Sequence, residues 1–243
     1  MTKHSSSLFI LLSIFLCCFP FPTETGEVKK TSFPRYLSAL QRESLLTVTD
    51  QTLFTLENIP FRIPLEGVNI EDFLDRSIGY VPPDLIRDGL PAFGTQRDDW
   101  KGAPRPHEGY DIYIDKANVI AASEGIVSKV AITSKAGLYV KIQHDHHLAT
   151  VYVHLKDAVV KRHQKVQAGE MIGYIDGPTG NAISSQLHFE IQKNSQSLDP
   201  LPLIESYYAH DSQILLKINR YQRILQENEK ERAKKVKEFL QSH

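Results

Sequence analysis

Apolar and polar side chains alternate along several short stretches in the middle of the 243-residue chain. A period of two residues is typical of a β-strand that buries one face. Such β patterns cover residues 125–131, 138–142, 149–154, 171–175 and 186–191. The segments between them are rich in Gly, Asn, Asp and Pro, which favour turns. Short strands at this spacing predict a mainly β fold with a compact antiparallel core over residues 88–202.

The start of the chain has a different character. We interpret residues 1–22 as a signal peptide, because the apolar run at 8–19 is shorter than the roughly 20 residues that a membrane-spanning helix needs. An uncleaved anchor and a lipid anchor on Cys17 or Cys18 stay open as alternatives. Since these are the only two cysteines, the processed chain would hold no thiol and no stable membrane span. Any metal site must then use His, Asp or Glu.

Residues 23–87 are predicted to form an irregular N-terminal extension that packs on the core. The spacing of leucines indicates a short helix at 34–46. Residues 52–65 are predicted to be extended, with prolines as interruptions. A helix is expected at 69–78, with an Asn at its start as the cap. The proline-rich stretch at 60–65 is also a candidate to cover a groove in the core as an inhibitory segment.

Residues 203–243 are predicted to form a C-terminal helical tail. Apolar residues recur at helical spacing in its first half, whereas residues 227–237 are almost all charged. We expect one helix that packs through an apolar stripe early and is solvated late. A basic binding tail is the alternative interpretation of the charged run.

Histidines and carboxylates occur at or beside the predicted strands. His188 lies in the middle of the strand at 186–191, and Asp111 follows His107 by four residues. Two imidazoles and one carboxylate with an open fourth position are the usual ligands of a catalytic zinc ion. We therefore predict that His107, Asp111 and His188 hold zinc. His154 would stand beside the ion and transfer a proton or stabilise an oxyanion.

The strand patterns also place other residues near this site. Tyr152 precedes His154 by two residues, so the two are expected on one strand face, with Tyr152 flanking the pocket. The loop at 176–185 leads into the His188 strand and is expected to form one wall of a cleft. The formal net charge is −1, so the composition does not indicate a nucleic-acid partner. The oligomeric state is left open.

Residues 88–202 resemble the lysostaphin/LytM-type zinc metallopeptidases, whose domain usually cuts peptide cross-bridges in bacterial peptidoglycan. The matching segments occur in the family order, at residues 93–97, 107–112, 121–127, 152–155, 169–173, 179–180, 187–190 and 199–200. The resemblance implies the duplicated hybrid motif fold, with an open groove over the metal. It also implies zinc at the three predicted ligands, a catalytic role for His154, and a peptidoglycan or other peptide substrate. The implied location is the periplasm, the cell envelope or the extracellular space.

One position departs from the family pattern. The family has a second catalytic histidine two residues before the last ligand, where this chain has Gln186. An amide can donate a hydrogen bond but cannot act as an acid or a base. We therefore expect Gln186 to hold the oxyanion, hydrolysis to be slow, and histidine at this position to raise the rate. A zinc-bound module that binds or regulates wall enzymes, and a structural β domain with incidental histidines, stay open as alternatives.

Overall fold

The computed structural model describes residues 52–79, 92–97, 105–145 and 147–242. The signal peptide predicted at 1–22 and the helix predicted at 34–46 lie outside these residues. The strands are β1 (Thr52–Leu56), β2 (Ile59–Arg62), β3 (Gln96–Arg97), β4 (Arg105–Pro106), β5 (Tyr110–Tyr113), β6 (Ala117–Ile120), β7 (Gly125–Thr133), β8 (Gly137–Gln143), β9 (Leu148–Leu155), β10 (Asp157–Ala158), β11 (Lys165–Val166), β12 (Met171–Ile175), β13 (Gln186–Lys193) and β14 (Gln196–Leu198). The helices are α1 (Ile70–Leu74), which continues into a π-helical turn (Asp75–Gly79), α2 (Leu201–Tyr207) and α3 (Ser212–Ser242).

A seven-stranded antiparallel sheet forms the centre of the fold. Its strand order is β11-β7-β8-β9-β13-β14, and β5 joins by pairing with β13. β13 pairs with β9 along one edge, and with β5 and then β14 along the other. A smaller sheet has the order β10-β12-β6. The mainly β, antiparallel fold predicted from the sequence is confirmed.

The alternation predicted for β13 is present in the structure. Its apolar side chains are at most 1% exposed and face the core: Leu187, Phe189 and Ile191. Its polar side chains line an open groove on the other face: Gln186, His188 and Glu190. The register is therefore strongly specified, because a shift of one residue would exchange the buried and the groove-lining sets.

The described part of the N-terminal extension contains a two-stranded hairpin and a short helix, where the sequence predicts extended and helical segments. β1 and β2 form a hairpin whose two turn residues, Glu57 and Asn58, both have positive φ, which suits a tight two-residue turn. Pro60 pairs with Thr55 within β2 and does not interrupt the strand. Asn69 caps α1 as predicted, because its Oδ1 accepts the Asp72 N–H at 2.8 Å.

This extension contributes to the hydrophobic core rather than to the groove. Several of its side chains have no exposed surface: Leu53, Phe54, Phe61, Ile63, Leu65, Phe73 and Leu74. The stretch at 60–65 runs beside β6, where Ile120 donates its N–H to the Pro64 carbonyl at 3.0 Å. The expectation that this stretch covers the groove is therefore wrong, because these residues do not line it.

The C-terminal region contains two helices instead of the single one predicted. The break falls at Asp211, whose carboxylate accepts the N–H groups of Gln213 and Ile214 at the start of α3. A side-chain cap of this kind begins a new helix. The early part of α3 packs through Ile214 and Ile218, as its apolar stripe predicts. Among the described helices, none is both long and apolar enough to cross a membrane.

Candidate metal centre

Three donor atoms converge on the floor of the groove. β5 and β13 pair so that Asp111 lies directly opposite His188, and His107 lies four residues before Asp111. Asp111 Oδ1 is 2.8 Å from His188 Nδ1 and 3.3 Å from His107 Nε2. The two imidazole nitrogens are 3.0 Å apart. Ligands held at roughly 2.0–2.1 Å by a tetrahedral zinc ion are about 3.3 Å apart, so these separations fit such an ion.

The outer partners of the three side chains orient them for metal binding. His107 Nδ1 lies 2.9 Å from the Ala92 carbonyl, which assigns its proton to Nδ1 and leaves Nε2 with a lone pair. His188 Nε2 lies 3.1 Å from Glu190 Oε1, so the proton on this nitrogen is donated to the carboxylate. The other oxygen of Asp111 accepts a hydrogen bond from Arg97. Partners of this kind fix ring tautomers and ring orientation at metal sites.

The ionisation of the three groups follows from their close contact. Burial lowers the pKa of His107. Burial alone would raise the pKa of Asp111, but His107 and His188 hold it well below its usual range. For His188 burial also acts to lower the pKa, but Asp111 and Glu190 outweigh it and raise the value to about 9. Without a metal, His188 is therefore protonated at neutral pH, and an incoming cation must replace its Nδ1 proton.

Gly109 is required for the close approach of the two strands. A Cβ atom at this position would lie 2.4 Å from the Phe189 carbonyl oxygen and 3.0 Å from the His188 ring. Any larger residue would push apart the strands that carry Asp111 and His188. The close approach of Asp111 to His188 thus depends on Gly109.

A bulge in β9 turns His154 towards the groove. The pairing of β9 with β13 ends at Val153, opposite His188, and the register of β9 with β8 shifts at the same place. His154 itself has φ +66°, which breaks the alternation of faces along the strand. Its ring centroid lies 6.2 Å from that of His188. Sequence reasoning assumed a regular strand and did not detect this bulge.

The bulge also explains why the prediction for Tyr152 is wrong. Tyr152 has no exposed surface, and its hydroxyl accepts the Ala122 N–H at 2.8 Å and contacts Thr150 at 2.9 Å. The side chain therefore packs in the core instead of flanking the site. Only the left-handed backbone at His154 places the histidine on the opposite face from Tyr152.

The imidazole of His154 is buried and has an unused nitrogen. It is 7% exposed, and its Nδ1 has no hydrogen-bond partner among the described residues. Burial, with a smaller contribution from His188, lowers the pKa of His154 to about 4. The ring is therefore neutral at physiological pH, and one ring nitrogen keeps a lone pair.

Gln186 lies at the end of the groove next to β5. It is 8% exposed and sits opposite Tyr113 in the β5–β13 pair. At this low exposure Gln186 is not a solvated residue on an open strand face. Its side chain lies in the groove, two residues from His188, on the same strand face.

The groove has a volume of about 640 Å³. Residues 181–183 line one side of it, as expected for the loop before β13. The loop is attached to the β7–β8 turn, because Asn181 donates its N–H to the Lys135 carbonyl at 2.9 Å. Gly180 has φ +63°, and a Cβ there would lie 2.4 Å from Lys135 O and Gly137 N, so the contact requires glycine.

A second group of possible ligands lies elsewhere, at Glu57, Asp145 and His147. Its polar groups already have partners. Glu57 binds Lys193 and His147, and Asp145 accepts the backbone N–H groups of His147 and Leu148. The side chains are about one-third exposed, at 35%, 32% and 35%. This group is best described as an ion-pair cluster that joins the β1–β2 turn to β13.

Comparison with known proteins finds relatives for the middle of the chain. Residues 105–200 match the family model of peptidase family M23. An uncharacterized metalloprotease of Haemophilus influenzae is 38% identical over 109 residues, covering 44% of this chain and 23% of that protein. The peptidoglycan DD-endopeptidase ShyC of Vibrio cholerae is 31% identical over 142 residues, covering 53% and 32%. The crystal structure of a zinc-containing peptidase from Vibrio cholerae is 30% identical, covers 46% of this chain and 35% of that chain, and has a TM-score of 0.42.

These matches make this part of the chain similar to metallopeptidases. Residues 105–200 match the model of peptidase family M23, which confirms the resemblance to lysostaphin/LytM-type peptidases. The chain spans about a third or less of the length of the curated relatives that it matches. Two partners of the donor set were not assigned from the sequence, although both lie in the resembling segments: Arg97 and Glu190.

Proposed function

We propose that this protein is an exported zinc metalloendopeptidase that hydrolyses peptide bridges of bacterial peptidoglycan. The observation that carries the proposal is the convergence of His107, Asp111 and His188 at the floor of an open groove. Their donor atoms lie 2.8–3.3 Å apart. Each of the three side chains uses one polar atom to bind a neighbouring residue, and its other polar atom faces the two remaining side chains. M23 peptidases and peptidoglycan DD-endopeptidases among the relatives support the substrate.

The donor set suits zinc because two imidazoles and a carboxylate leave a coordination position open. When bound, zinc supplies Lewis-acid polarisation of the scissile carbonyl and lowers the pKa of water. Hydrolysis adds the water oxygen to the carbonyl carbon, breaks the C–N bond and leaves one water proton on the departing amine. The residues of this chain position the peptide and handle that proton.

His154 is the residue that we assign to the proton. His154 lines the groove and its ring is neutral, so an imidazole nitrogen can accept a hydrogen bond from the attacking water. The low pKa makes it a weak base, so its contribution is to orient and relay the proton. Gln186 has an amide N–H₂ that can donate to the carbonyl oxygen as negative charge develops there.

The groove suits an extended peptide rather than a folded one. Ile183 on the loop wall lines the groove and is 60% exposed. An exposed apolar side chain at the edge of a polar groove can contact an apolar side chain of the substrate. Val153 contributes a second apolar contact near His188.

Digestion of purified bacterial walls tests the proposal. The zinc-loaded protein should release peptides, a chelator should stop the release, and His188→Ala should lose both the metal and the activity. Export is tested by the intact mass of protein from cells, which should lack the first 22 or so residues. Uncleaved walls with zinc fully bound would contradict the hydrolase assignment. Because Gln186 stands where the family has a catalytic histidine, that result would favour a zinc-bound module that binds or regulates wall enzymes.

A further inference from the structure

We propose that Tyr113 is a catalytic residue, whose hydroxyl donates a hydrogen bond to the oxyanion that develops on the scissile carbonyl. The inference rests on the proposed hydrolysis and names a donor on the β5 side of the site. The observation that carries it is the pairing of Tyr113 with Gln186 across two strands at the groove. Neither the ligand set nor the comparisons assign a role to this tyrosine.

The register places Tyr113 on the correct face. β5 runs antiparallel to β13, with Asp111 opposite His188 and Tyr113 opposite Gln186. Since side chains two residues apart on a strand share a face, Tyr113 projects to the same side as Asp111. Directly opposed side chains of antiparallel strands have Cβ atoms roughly 4.5–5.5 Å apart. Tyr113 and Gln186 therefore stand side by side, and both line the groove.

The two edges of β13 carry different polar groups. His154 approaches His188 from the β9 edge, where the bulge directs it into the groove. On the other edge, Tyr113 of β5 lies beside Gln186 at the start of β13, two residues beyond Asp111. A carbonyl held between the two edges would meet an imidazole from one side and a phenol and an amide from the other. Donors placed beside the oxygen where negative charge develops stabilise the transition state.

Other side chains of the groove are less suited to this role. Arg97 is bound to the second oxygen of Asp111, and Glu190 is bound to His188. Lys135 belongs to the β7–β8 turn, on the His154 side, where the neighbouring Ala136 carbonyl accepts the His154 N–H. Among the described residues that line the β5 edge, Tyr113 is the one with an acidic O–H group.

The rigidity of its position favours catalysis. Tyr113 is 7% exposed, and Arg76 donates to its backbone carbonyl at 3.3 Å, so the end of β5 is held by a side chain of the π-helical turn. A donor held in place before the reaction stabilises developing charge without a cost of reorganisation. Gln186, with a neutral amide, is a weaker donor than a phenol, which is why the pair is needed.

Tyr113→Phe is the decisive variant, because it removes only the hydroxyl group. We expect kcat on a wall peptide to fall about 10²–10³-fold with little change in KM, as for loss of one oxyanion donor. Zinc content should stay the same. A phosphinic peptide that mimics the tetrahedral oxyanion should bind about 10-fold or more weakly, whereas an uncleaved substrate analogue should bind as before. Tyr174→Phe is the matched control, because Tyr174 is on β12 and does not line the groove.

Binding of the phosphinic peptide separates this inference from the proposed function. If the zinc-loaded wild type does not cleave walls but Tyr113→Phe weakens phosphinic peptide binding, the hydrolase assignment fails, whereas the hydrogen bond from Tyr113 to a tetrahedral oxyanion mimic stands. If wild type cleaves walls and Tyr113→Phe has equal kcat and equal affinity for the phosphinic peptide, the role of Tyr113 is refuted. A wild type that binds no phosphinic peptide, or a variant that changes KM alone, also overturns it.

Discussion

Glu190 is expected to control metal affinity through His188. The Glu190→Gln substitution keeps the shape of the side chain but removes the charge that accepts the Nε2 proton at 3.1 Å. Both side chains are 13% exposed, so solvent screens this contact only in part. Loss of an outer partner of a metal ligand typically reduces affinity about 10–100-fold, which corresponds to about 1.4–2.7 kcal/mol.

The effect should depend on pH, because Glu190 acts on His188 in two opposing ways. It holds the ring in the orientation that presents Nδ1, but it also helps to raise the pKa of His188 to about 9, which favours the competing proton. Glu190→Gln lowers this pKa and weakens the competition. The loss of zinc affinity should therefore be smaller near pH 7 than near pH 9.5, where His188 is mostly neutral in both proteins.

Competition with a chelator of known affinity measures the zinc dissociation constant at both pH values. Glu170→Gln is the control, because Glu170 is also partly buried but binds Gln164 and the Gln167 backbone, away from the groove. Equal zinc affinity of Glu190→Gln and wild type at the higher pH would refute the proposed effect of Glu190 on metal affinity. A loss that is larger at neutral pH would refute the assignment of the His188 proton.

Two further predictions concern stability. Phe73→Ala should lower the free energy of unfolding by about 3–5 kcal/mol in urea denaturation, because Phe73 is fully buried and its ring lies 6.3 Å from that of Tyr110. The control is Leu216→Ala, at a 60% exposed site, which should change the free energy of unfolding by less than about 0.5 kcal/mol. Equal effects of the two substitutions would mean that the extension does not stabilise the core. In the metal-free protein, protonated His188 should stabilise the folded state, because its pKa is raised on folding. This contribution to stability should be fully present below the ordinary pKa of 6.5 and should disappear as pH rises through about 9. The thermal unfolding temperature of wild type should fall across this pH range, and that of His188→Gln should not. Parallel plots of unfolding temperature against pH for the two proteins would contradict this prediction.

Local patterns in the sequence contain enough information to predict the strands. Alternation of apolar and polar residues identifies β13 and its two faces, because a half-buried strand has a period of two residues. The type of each proposed donor is also local, because His and Asp side chains can bind a metal wherever they lie: His107, Asp111 and His188. The Asn69 cap is a further case, since a side chain that caps its own helix needs no distant partner.

Other features depend on which elements meet. The faces of β9 on which Tyr152 and His154 lie depend on a bulge in that strand. The bulge forms where β8 and β13 pair with β9 in different registers. Likewise, residues 60–65 look like a free extended segment in the sequence, but β6 offers hydrogen-bond partners that hold them away from the groove.

The cross-strand pairs are a property of tertiary structure alone. Tyr113 and Gln186 are 73 positions apart in the chain, and only the β5–β13 register makes them neighbours. The pKa of His188 and the position of Arg97 beside Asp111 depend in the same way on contacts between distant residues. A sequence pattern reports which face of its own element a side chain occupies. The partner across the strand is set by pairing and packing of the whole chain, because hydrogen bonds and electrostatic contacts act only over short distances in space.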